Sequence, residues 1–200
     1  VIGGTASKIT GGKFENGAAT AAFASLLNSA TVGVKNANLN SKYKQLMAST
    51  DPADRQKAID LAVDNFKINT EGVDSVEYSP DMKKGVAGET TLFDDGVLQV
   101  RIGDEAFDGS FGQLGSTIGH EVEVHARHHM APGATSLTIA RQEVEALNWE
   151  INQQDRFGLT INDIQGLNSK KGYFEGLLNN QLSNENTMKS DLNRRLEGGY

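Results

Sequence analysis

The chain has 200 residues with 19 basic and 26 acidic side chains, a net charge of −7 that leaves no basic footprint for nucleic acid. That length suits one domain with its own core, and the lack of cysteine excludes a disulfide scaffold, a thiolate metal site and a cysteine nucleophile. No run of 18 apolar residues is present to span a membrane, and the first residues lack the charged and apolar regions of a signal peptide. The opening valine fits a piece of a longer protein.

Residues 1–30 are rich in Gly, Ala, Ser and Thr, and we take them as a lead-in to a domain over 31–200. Glycines 3, 4, 11, 12 and 17 disfavour helix in the first half, whereas Ala18 to Leu27 suits a short one. Asn38 to Met47 is polar and helix-compatible. At Thr50-Asp51-Pro52 a cap and a first-turn proline start a helix with Ala58, Leu61, Ala62 and Phe66 on one face, fading by Asn69. A strand is expected at Val76 to Tyr78. Thr90–Phe93, Asp94-Asp95-Gly96 and Val97–Ile102 then read as a hairpin. A long helix is expected from Ser110 to about His129, stopped by Pro132-Gly133, and a second from Thr135 or Ser136 to about Arg156. Phe157 to Thr160 breaks the second, with Thr160 and Asp163 as a capping box. Two polar helices, Gly172–Leu182 and Asn184–Leu196, would follow. The fold class is α+β, mainly helical with a small antiparallel sheet.

All four histidines lie between positions 120 and 129, with Glu121 and Glu123 between the first two. Imidazole and carboxylate at helical spacing are the material of a metal or acid/base site. His120-Glu121-Val122-Glu123-Val124-His125 is one residue longer than the His-Glu-x-x-His of zinc hydrolases. Residues five apart on a regular helix point about 140° apart, so His120 and His125 diverge unless a π-bulge intervenes. With such a bulge their ring nitrogens should come within about 3–3.5 Å, as one metal requires. On a regular helix Glu121, His125 and His128 would instead share a face. The bland alternative is a solvated face with His128 and His129 near the helix C-terminus. Trp149 is expected in the core, and neither a phosphate-binding glycine loop nor a nucleophile elbow is present.

Several resemblances bear on these residues. Gly3-Gly4-Thr5-Ala6-Ser7, Gly11 to Ala18 and Thr20-Ala21-Ala22-Phe23 resemble the lead-in of secreted bacterial proteins of the Rhs and contact-dependent-inhibition type. There, such a segment precedes a variable C-terminal toxin. The order strand, His-Glu…His helix, glutamate-bearing helix resembles zincin-like hydrolases. His120 to His125 has the spacing of dipeptidyl peptidases with His-Glu-x-x-Gly-His, although Val124 stands where their glycine would be. Gln142-Glu143-Val144-Glu145-Ala146, Trp149 and Arg156 to Thr160 are similar to segments of His-Glu-x-x-His polymorphic toxins. These resemblances imply His120 and His125 as metal ligands, Glu143 as third ligand with Glu145 or His128 as alternates, Glu121 as catalytic base, and Zn2+ as the metal. They imply an effector secreted by one bacterium into another, a zinc-dependent hydrolase acting on protein or peptide, held in check by an immunity protein, without nucleic acid or a stable membrane span. A metal-dependent nuclease and a non-enzymatic or pore-forming toxin with structural histidines are the alternatives.

Overall fold

A computed structural model describes residues 38–128 and 135–197, with His128 and 185–197 described by their backbone alone. The lead-in over 1–30, its short helix and His129 lie outside the described residues. No described helix is long and apolar enough to cross a membrane.

Helix α1 covers 38–48 of the described chain. Helix α2 (Pro52–Phe66) begins as its sequence dictates: Asp51 accepts from the Ala53 N–H, and Pro52 occupies the first turn, where its missing N–H costs nothing. Lys67 ends it in the left-handed conformation. Ala58, Ile59, Ala62 and Phe66 form the buried face, with Leu61 at its half-buried edge.

Three strands follow: β1 (Ser75–Tyr78), β2 (Gly88–Leu92) and β3 (Leu98–Ile102). β2 and β3 form the expected hairpin, with Gly96 supplying the positive φ of 87° that the turn needs. The order is β1-β3-β2, and β1 pairs parallel to β3. The sheet is therefore mixed rather than antiparallel. Leu98, Val100 and Ile102 bury one face of the central strand, whose second edge still needs hydrogen-bond partners. β1 supplies them, and the direction it arrives from is set by the chain path outside the strand.

A 3-10 turn (Asp104–Phe107) leads to helix α3 (Phe111–Gly119). Ser110 and Gln113 close a reciprocal capping box over its first turn. Phe111, Leu114 and Ile118 are fully buried against Phe66, Ile59 and Val100 in the main core. Each such side chain contributes about 1.5–3 kcal/mol through burial. The helix continues as a π-helical segment (His120–His125) and returns to α-helix over Ala126–His128.

Helix α4 (Ser136–Asn152) is capped by Thr135 and ends earlier than the expected Arg156. An irregular step at Gln153 separates it from the short α5 (Gln154–Phe157). The Thr160–Asp163 capping box is formed. Where two polar helices were expected, one helix α6 (Ile161–Glu197) runs through. Gly166, Gly172 and Gly176 lower its propensity by about 1 kcal/mol each, yet α6 packs along α4, and tertiary contact overrides the local preference. Trp149 is half-buried and packs on the core, with its ring 5.8 Å from that of Phe157.

Candidate metal centre

The π segment places the histidines. The Ala126 N–H donates to the Glu121 carbonyl five residues back rather than four, which adds one residue to the turn. His120 and His125, five apart, consequently face the same way: their Nε2 atoms lie 2.9 Å apart and their rings meet edge to face. Both rings are buried, with 8% and 6% of their surface exposed. Val122 and Val124 are buried as well, so packing offsets the irregular backbone.

Three carboxylates converge on the pair. Glu143 of α4 reaches from the opposite wall, with Oε1 3.3 Å from His125 Nε2 and Oε2 3.7 Å from His120 Nε2. Glu150, two turns further along α4, accepts from His120 Nδ1 at 2.7 Å, and its other oxygen accepts from the Ser116 hydroxyl. Glu121 is buried beside both rings, and the Thr90 hydroxyl of β2 donates to its carboxylate at 2.8 Å. The β2 backbone comes so close that a Cβ at Gly88 would lie 2.6 Å from Glu121 Cγ, and only glycine fits there. His120, Glu121 and His125 each place a ligand atom within 4.8 Å of the others, and this buried group can hold a metal ion.

The donor set fits a divalent cation. Two nitrogens bound to one zinc at about 2.0–2.1 Å sit roughly 3.3 Å apart, so the rings need to separate by only about half an ångström. Glu150 already fixes His120 with Nδ1 as its donor, leaving Nε2 free for a metal, as outer carboxylates do for ligating histidines. His125 presents Nε2 to the centre, and its buried Nδ1 has no partner among the described residues.

Without a metal the electrostatics favour a proton in the same place. Burial lowers the His120 pKa, but the Glu150 hydrogen bond and the charges of Glu150, Glu121 and Glu143 outweigh it and push the group up to about 9. His120 then donates its Nδ1 proton to Glu150, and its Nε2 meets His125 Nε2 across a 2.9 Å contact. Burial also raises the Glu121 pKa, against the pull of both histidines and of Thr90. Glu143 is held low: burial would raise it, but the His125 hydrogen bond and the charges of His120, His125 and Lys170 prevail.

The remaining residues singled out by sequence separate cleanly. Glu145 is exposed and does not line the cleft. The His128 side chain lies outside the described residues, and a Glu121-His125-His128 face presupposes a regular helix that the π segment replaces. Glu123 points away from the centre and pairs with Arg156 through two 2.8 Å bonds, while also accepting from the Asn69 N–H. Glu150, Ser116 and Thr90 were not singled out beforehand. Glu150 shares a helical face with Glu143, seven residues apart, and that spacing was its one sequence signal.

A cleft of about 450 Å³ opens onto this group. Segment Gly85–Gly88, Glu143 and Leu147 of α4, and Lys170, Tyr173 and Phe174 of α6 are among its lining residues. A second cavity, of about 590 Å³ by Lys44 and Phe107, contains none of these groups. Compared with known proteins, the chain matches no family model, no curated protein and no solved structure.

Proposed function

We propose that the chain is a zinc-dependent hydrolase with a zincin-like centre, acting on peptide bonds as an antibacterial effector delivered into rival cells. The observation that carries the chemistry is the π segment. It brings the two Nε2 atoms together with Glu121 beside them and Glu143 across from them. A buried, irregular backbone turn that assembles four ionisable groups in a cleft is characteristic of functional sites.

His120 and His125 would hold the zinc through Nε2, and Glu143 would complete the protein ligands, since its two oxygens reach toward both rings. When bound, the zinc supplies Lewis-acid activation of water and of the scissile carbonyl. Glu121 is the general base, its raised pKa suited to taking a proton from the attacking water and returning it to the leaving amine. Thr90 aims that carboxylate, and Glu150 with Ser116 holds the His120 ring in place. Peptide is the favoured substrate because β2 is one of the two outer strands of the sheet and its Gly88 end lines the cleft. An extended chain laid along that edge would gain backbone hydrogen bonds. The toxin context rests on the resemblance of residues 3–23 to the lead-in of Rhs-type proteins, and with it comes the cognate immunity protein.

Purified protein should contain close to one zinc per chain. Glu121→Gln should keep the metal while losing roughly 10²–10⁴-fold in peptide hydrolysis, whereas His120→Ala should lose both. Expressed inside bacteria, the wild type should arrest growth, and the neighbouring open reading frame should restore it. Growth arrest that persists undiminished in both variants would defeat the reading, and degraded nucleic acid in arrested cells would replace the peptidase with a nuclease.

A further inference from the structure

Part of the cleft lining comes from one face of α6. Lys170, Tyr173 and Phe174 stand at i, i+3 and i+4, the spacing that puts side chains side by side. Around them the cleft is acidic, lined by Glu121, Glu143 and Glu150, and Lys170 and His120 are the basic groups among the described residues that line it. No hydrogen bond or ion pair to a described residue holds the Lys170 ammonium. The adjacent Lys171, by contrast, is tied to Asn148 at 3.2 Å. Tyr173 is 64% exposed and packs against Phe174, with ring centroids 5.3 Å apart, so an apolar surface adjoins the cation.

Lys170 lines the cleft and is exposed, so its ammonium is solvated and accessible to a ligand entering beside the carboxylates. We propose that Lys170 is a specificity-determining residue that binds a carboxylate of the substrate, with Tyr173 and Phe174 packing the apolar part beside it. This rests on the peptidase reading. The carboxylate belongs either to an acidic side chain near the scissile bond or to the free C-terminus of a short peptide. A phosphate backbone is disfavoured, because each further phosphate would enter a cleft lined by three carboxylates, with Lys170 its one lysine and no arginine among the described lining residues. The ammonium's charge also helps to hold Glu143 in its anionic form.

The test uses full-length protein and five matched fluorescent peptides: neutral, glutamate-bearing, glutamine-bearing with a free C-terminus, its C-terminal amide, and lysine-bearing. Binding is read by anisotropy on Glu121→Gln protein, and cleavage on the zinc-loaded enzyme with active Glu121. Lys170→Ala should weaken binding of carboxylate-bearing peptides by about tenfold more than that of neutral ones, as expected for a charged hydrogen bond. Lys170→Arg should restore most of the preference, and Lys170→Glu should reverse it in favour of a lysine-bearing peptide. The glutamine and amide controls tell a side-chain carboxylate from a C-terminal one, and discrimination in either pair supports the proposal. Equal losses on neutral and anionic peptides, or a single-stranded oligonucleotide that displaces the peptide through Lys170, would overturn it. Carboxylate-dependent binding without any cleavage would sink the hydrolase and leave the Lys170 subsite standing.

Discussion

Phe111–Gly119 and His120–His125 are successive parts of one helix, and they handle burial in opposite ways. The first is regular, capped by Ser110 and Gln113, and buries Phe111, Leu114 and Ile118 against apolar neighbours. The second departs from the α-helix and buries two imidazoles and a carboxylate. Buried ionisable groups are costly unless each finds a partner. Here His120 pairs with Glu150, His125 Nε2 with His120 and Glu143, and Glu121 with Thr90, while His125 Nδ1 has no partner among the described residues. The regular half holds the fold together, and the irregular half, anchored by it, gathers the ionisable groups of the candidate metal centre.

That division is broken most sharply by a variant in the regular half. Leu114→Ala should destabilise the protein by about 2–5 kcal/mol, since it leaves a cavity in a fully packed core. Zinc content and activity of the folded fraction should stay near wild type at low temperature. A matching loss of metal affinity, measured by chelator competition, would show that the two halves are one energetic unit.

The next effect in size concerns Glu150. Glu150→Gln preserves shape but removes the charge behind His120, and outer-carboxylate changes of this kind lower metal affinity about 10–100-fold. The same charge is a leading cause of the raised His120 pKa, so the metal-free variant should titrate nearer 6.5 than 9. If zinc binds here, in wild-type protein at pH 7.5 it should displace a proton from His120. Calorimetry in buffers of different ionisation enthalpy should show about one proton released per metal, and less in the variant.

How far the site could be read from the sequence follows from where its partners lie. His120, Glu121 and His125 are local, and their five-residue spacing conflicts with a regular helix strongly enough to anticipate a π-bulge between them. Glu150 and Ser116 are 34 residues apart, and only the packing of α4 on the site helix brings them together. Thr90 reaches Glu121 from another element again, 31 residues earlier. The hairpin was readable from Asp95-Gly96, whereas the parallel pairing of β1 with β3 was not, because strand composition carries no direction. The single helix α6 was masked by its glycines, whose local cost is offset by packing on α4.

Within the π segment a smaller contrast separates Glu123 from Glu121. Glu123 resists burial by pairing with Arg156 and the Asn69 N–H, and the nearby charges of Arg156 and Arg127 add to a lowered pKa. A carboxylate with a depressed folded-state pKa stabilises the protein above its unfolded value, and that contribution disappears as pH falls through the folded one. Glu123→Gln should thus cost on the order of 1.5 kcal/mol at pH 7. The two proteins should converge in urea titrations as the pH drops below about 4. Metal content should not change. A loss of zinc with Glu123→Gln would mean that the Arg156 pair holds the π-turn in register.

The smallest effect is expected at Thr90. Its hydroxyl donates both to the Glu121 carboxylate, at 2.8 Å, and to the Glu121 backbone carbonyl, at 3.2 Å. Two acceptors share one proton, so Thr90→Val, which keeps the β-branched shape suited to β2, removes about one neutral-to-charged hydrogen bond's worth of anion stabilisation. Burial already raises the Glu121 pKa, and losing this donor raises it further. If Glu121 is the base, the acid limb of the kcat/KM profile should move to higher pH by a fraction of a unit to about one unit, with the alkaline limb unmoved. Activity above that limb should fall less than about tenfold, because the Gly88 backbone still confines the carboxylate. An unchanged acid limb with lower activity at every pH would make Thr90 a packing residue and place the titrating base elsewhere.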